Sequence, residues 1–167
     1  MVPRSVPKQA AIAQFVPGAY FHDCYQIQLP AEKSGRNPLR LYLEATKAVP
    51  AWINGSMRLR NAVVSRLGLK DLGSFDNVDE KASFQIGDRV GIFRLAHQSP
   101  NEVILEDNDK HLHVKVAVVI EDDVDNKGKV LSVSTVVHVH NNFGKIYMFF
   151  VEPMHKLIAP TVVSYLL

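Results

Sequence analysis

The chain carries one cysteine, Cys24, among 167 residues, so no disulfide can form within it. Such scarcity fits a reducing compartment, and a cytoplasmic location is expected. No cation near Cys24 in the sequence would activate its thiol, which favours a packing role. Long apolar runs are missing too. No stretch approaches the roughly 20 residues of a membrane-spanning helix. The start, "MVPRSVPKQAAIAQFVPGAY", has neither the apolar core nor the cleavage site of a signal peptide. Neither sign of charge dominates, since nineteen Lys and Arg against seventeen Asp and Glu leave +2. This near balance offers no basic stripe for nucleic acid. Also absent are a Gly-x-Ser-x-Gly elbow, a phosphate-cradling glycine loop and a zinc signature. No cofactor is implied.

What is present suffices for one domain. A hydrophobic fraction of 47% and a charged fraction of 22% are ordinary for a folded soluble chain. Residues 1–18 read as an N-terminal extension with a short helix over 5–15, capped by Ser5 and ended by Pro17-Gly18. Residues 19–167 read as a single domain. "AYFHDCYQIQL" alternates as a strand, with Phe21, Tyr25, Ile27 and Leu29 on one face; Asp23 breaks that face. Helical spacing follows over 38–48 and 51–68, separated by Pro50, with Arg60 inside the apolar stripe of the second. Residues 70–83 are polar and irregular.

From Gly87 the period changes to two. "DRVGIFRLA", "NEVILED", "HLHVKVAVVIE", "KVLSVSTVVHVH" and "KIYMFFVE" read as five strands. The short connections between them predict antiparallel hairpins. "EPMHKLIAPTVVSYLL" reads as a terminal helix opened by Pro153 and His155, with Met154, Leu157, Ile158 and Tyr165 as apolar positions and Pro160 as a kink.

Two His-x-His pairs, His111/His113 and His138/His140, raise the question of a metal. Closing a hairpin with "DNKG" sets His113 opposite His140 and Lys115 opposite His138. Closing the previous one with "DNDK" sets Glu106 opposite His111 and Glu102 opposite Lys115. Val103, Leu105, Leu112, Val114, Val116, Val118 and Ile120 then share an apolar face, as do Val133, Thr135 and Val137. The histidines therefore belong to the opposite, wetted face. There His113 and His140 could catch an adventitious ion, but a dedicated site also needs an ordered outer shell. No physiological metal is expected.

The stretches "MRLRNAVVSRLGL", "GDRVGIFRL", "PNEVILEDNDKHLHVKV" and "STVVHVHNNFGKIYMFFVEPMHKLIAP" are similar to an uncharacterised, mainly bacterial domain-of-unknown-function family. The order of elements resembles the START/polyketide-cyclase-like (SRPBCC) superfamily, the helix-grip fold of the major birch-pollen allergen. The resemblance implies an α+β fold, with a curved antiparallel sheet wrapped around a C-terminal helix and two helices after the first strand. Helix-grip proteins include lipid carriers, hormone receptors, cyclases and hydrolase-activating modules, so the fold leaves activity open.

Polar residues on the apolar face are the informative exceptions. Asp23, Arg60, Arg89 and His155 are candidate anchors for a small hydrophobic or amphipathic ligand. Tyr25, Phe93, Val116, Val137, Met148, Leu157 and Ile158 are its candidate walls. The simpler reading pairs Asp23 with an arginine that pins the first strand to a helix, because a lone buried carboxylate is costly. His155 could equally serve only local hydrogen bonding near a helix end. A second function is a cyclase- or hydratase-like enzyme, which requires Asp23 and His155 to meet in one place. A third is a protein-interaction domain with a solid core, docking through the His/Glu face or residues 70–83. The sequence sets no oligomeric state.

Overall fold

The order of the chain follows from where alternation and helical spacing exchange places. The structure, a computed structural model, describes residues 2–56, 83–123 and 128–167. Arg60 and residues 70–82 lie outside the described residues, as does the second helix beyond residue 56.

Six strands form one antiparallel sheet: β1 (Phe21–Leu29), β2 (Arg89–Val90), β3 (Phe93–Gln98), β4 (Glu102–Asn108), β5 (Leu112–Asp123) and β6 (Gly128–Val139). Their spatial order is β1-β6-β5-β4-β3-β2, so the first strand returns beside the last and each of the others neighbours its successor. Helix α1 (Pro38–Lys47) starts where Asn37 accepts the Arg40 amide at 2.8 Å, with Pro38 preset for the first turn. Helix α2 covers residues 51–56 of the described chain. The long helix α3 (Asn142–Ser164) completes the fold.

The inner face of the sheet is the apolar one anticipated from the alternation. Tyr25, Ile27 and Leu29 of β1 join Leu95, Val103, Leu105, Val118, Ile120 and Leu131 in one cluster with Leu39, Leu41 and Tyr42 of α1 and Val163 of α3. Each such side chain contributes about 1.5–3 kcal/mol by leaving water. Helix α1 lies over β4 and β5, and α3 over β1 and β6. The result is an α+β architecture in which a terminal helix crosses an antiparallel sheet.

Several expectations need correction. "KIYMFFVE" is not a strand but the first half of α3. Asn141 accepts the Gly144 amide at 3.1 Å, so "NNFG" is a helix cap and not a hairpin turn. Residues 5–15 form no α-helix, only a 3-10 helix over Ala11–Phe15. The registers also shift. His113 faces His138 and Lys115 faces Val136, while Glu106 faces Lys115 and Glu102 faces Val119. Both shifts are even, two places in one hairpin and four in the other, so every residue keeps its face.

The wetted outer face is the largest change. Residues 2–20 cross it, and Ile12 packs fully buried with Ala10 against Ile104, Ala117, Val119 and Val136. The 3-10 helix has no cap of its own. Glu102 supplies one from β4, accepting the amides of Ala11 at 2.7 Å and Ile12 at 3.0 Å.

Candidate functional site

Strand alternation delivers Asp23 to the inner face, directly opposite Thr135 of β6 and flanked along β1 by Phe21 and Tyr25. Helix α3 crosses above, and one face of it descends onto these residues. His155, well inside α3 and not at its start, is thereby brought to the carboxylate. Its Nε2 lies 3.1 Å from Oδ2 and 3.4 Å from Oδ1 of Asp23. Only the Oδ1 contact is aligned as a hydrogen bond, and Oδ2 is buried without one among the described residues.

An ionised carboxylate only accepts, so the proton of the neutral ring belongs on Nε2. That leaves Nδ1 as an acceptor, unbonded among the described residues. The Asp23 side chain is 7% exposed and that of His155 is 24%. The pair thus presents an inaccessible charge through an accessible ring. Phe21 fixes the ring from the side, edge-on at 5.6 Å between centroids. Burial raises the Tyr25 phenol above its ordinary value, and the neighbouring Asp23 charge raises it further.

The other candidate residues divide. Val137 and Met148 are buried with Phe21 and Leu112 in a cluster at this end of α3. Tyr25 is buried beside Asp23, while Val116 and Ile158 are half-buried. Phe93 packs on the core cluster that includes Val90 and Leu95. Leu157 is displaced from the proposed wall: it is 60% exposed, on the far side of α3. Met154 and Tyr165 share this exposure, and the inward positions are Met148, Val163 and Leu166 instead. Arg89 is likewise exposed, on the two-residue edge strand β2, with Nε donating to the Gly91 carbonyl. The turn at 91–92 breaks the phase that had put Arg89 in line with Leu95.

Each histidine of the two pairs has its own partner. His113 meets Glu106 at 2.8 Å, and His138 Nε2 donates to the Phe15 carbonyl at 2.8 Å. His140 lies 3.3 Å from Asn108 Oδ1, and His111 lies beside Asn141. Among the described residues no three His, Cys, Asp or Glu are gathered to hold a metal ion.

Sequence reasoning missed the polar network under the N-terminal segment. Lys115 is buried, hydrogen-bonds Glu106, and sits 4.3 Å from the centre of the Phe15 ring. Burial would raise the Glu106 carboxyl, but hydrogen bonds and positive charge from Lys115 and His113 outweigh it and hold it below its ordinary value. A bulge between Leu95 and His97 turns His97 to this side. There it lines an open cleft of about 300 Å³ with Phe15, Glu106 and Lys115. A second cleft, about 380 Å³, lies by Gln9, Glu102 and Glu121. The sequence signal was Asp109, whose Oδ1 takes the amides of His111 and Leu112. This Asx turn shortens the loop and moves the register.

A family model described as "Protein of unknown function (DUF2867)" matches residues 15–162. No curated protein and no solved structure matches the chain.

Proposed function

We propose, for a chain that belongs to the family of proteins of unknown function described as DUF2867, that it binds a small amphipathic molecule at the seam between α3 and strands β1 and β6. The observation that carries this reading is the buried Asp23 carboxylate paired at 3.1 Å with an imidazole whose side chain is 24% exposed. A buried carboxylate that orients a partly exposed imidazole is a placed polar anchor of the kind ligand sites use. The ligand's polar end meets the His155 ring, which Asp23 holds from behind, and its apolar body lies along Val114, Val139 and Tyr147, the partly buried edge of the Phe21–Val137–Met148 cluster. A helix-grip arrangement suits this role, because the terminal helix and the sheet together form the walls.

Native mass spectrometry of the protein purified from its own host tests the reading. The wild type should carry a co-purifying small molecule, with occupancy falling about 10-fold or more in His155→Ala. A bare chain mass, or equal occupancy in both proteins, overturns it.

The closeness of Asp23 and His155 also favours a second reading, in which the pair is an acid–base dyad of a cyclase- or hydratase-like enzyme. Asp23 holds the ring, and Nδ1 accepts a proton from substrate. The two readings part on the bound molecule: a carrier returns it chemically unchanged, and an enzyme converts it.

A further inference from the structure

Helix α3 has two apolar faces, and only one rests on the sheet. The other carries Ile146 (60% exposed), Phe149 (72%), Phe150 (67%), Met154 (40%) and Leu157 (60%), with Pro153 exposed among them. Phe149 and Phe150 are held edge to face at 5.2 Å. These six positions form a continuous stripe over more than three turns, bordered by Lys145 and by the Glu152–Lys156 pair. Scattered exposed apolar residues are ordinary; a contiguous stripe of this kind marks an interface.

Its spacing says which partner fits. Residues 146, 149, 150, 153, 154 and 157 are symmetric about a point between 151 and 152. Two such helices laid antiparallel across a two-fold axis place Ile146 on Leu157, Phe149 on Met154 and Phe150 on Pro153. Every large side chain meets an apolar one, and an aromatic ring meets sulfur, a favourable contact. With roughly 150–200 Å² for each large apolar residue, the stripe offers roughly 450–600 Å² per copy. A pair therefore reaches about 1,000 Å² before any rim is counted, the floor that a specific interface must clear. We propose that this face of α3 is the interface of a homodimer, formed by antiparallel pairing of the two C-terminal helices. The stripe faces away from Asp23, so the pairing does not depend on the ligand reading.

Sedimentation equilibrium on the full chain, from about 1 to about 100 µM, tests it. The wild type should approach twice the chain mass. Phe149→Glu/Phe150→Glu should weaken association by about 30-fold or more, with the far-ultraviolet dichroism unchanged. Leu157→Glu is an independent variant toward the other end of the stripe and should act in the same direction if the double variant fails to fold. A wild type of single chain mass across this range overturns the proposal, as does a dimer that survives both variants. A monomer that floats with phosphatidylcholine vesicles also overturns it and assigns the stripe to a lipid surface.

Discussion

At Glu106 one carboxylate answers both Lys115 and His113, and the consequence is a pH dependence of known sign. Its folded pKa is depressed, so its contribution to stability is complete above the ordinary value of about 4.5 and is lost as pH falls through the lower folded value. Glu106→Gln removes the counter-charge of a buried lysine and should cost about 1–3 kcal/mol at neutral pH. Urea titrations at pH 7 and in acid should show the wild type losing an increment that the variant never had. Cys24 follows the same physics to the opposite result. Burial pushes its thiol up, despite the Ser134 hydroxyl pulling it down, and the side chain is inert packing. Parity alone put Glu106, Lys115 and His113 on one face, because every strand choice had to keep valines inside. Their contact was not legible, since it depends on a loop length set by a single Asx turn at Asp109.

Among the elements, α3 shows most plainly where alternation misleads. Ile146, Met148 and Phe150 alternate like a strand, yet the buried members Gly144 and Met148 recur with helical spacing. A helix apolar on both sides satisfies both templates, so periodicity could not decide. The deciding signal was Asn141 as a cap. A methyl at Gly144 would lie 2.6 Å from the His111 carbonyl oxygen and 2.8 Å from Val139 Cγ1. Gly→Ala in a helix usually gains about 1 kcal/mol, but backbone and a packed valine leave no room here. Gly144→Ala should therefore destabilise the fold by about 1–3 kcal/mol, readable as a lower urea midpoint at unchanged slope. The convergence of Asp23 and His155 belongs to this scale as well. Each was visible as an exception, but only the crossing of α3 over β1 makes them neighbours.

For the molecule as a whole, the antiparallel run of β3 to β6, the dry side of the sheet and the second half of the terminal helix followed from patterning in residues 87–167. The cover on the other side did not, because a 3-10 helix and irregular backbone leave no periodic trace. That cover begins at the sheet edge, where the Arg4 amide donates to the Cys24 carbonyl at 2.8 Å, and so blunts an exposed strand. Deleting residues 2–16 should uncover Ile104, Val119 and Val136 and leave the Glu102 carboxylate without its two amides. The expected loss is about 3–5 kcal/mol, seen as a melting temperature lower by about 10 °C and stronger binding of an apolar dye.

Glu102 lies about ninety residues from the two amides it holds. The cap of the 3-10 helix is therefore supplied only where β4 lies beneath the N-terminal segment. The segment works as a latch whose keeper stands on a distant strand, so its hold reports on the sheet beneath it.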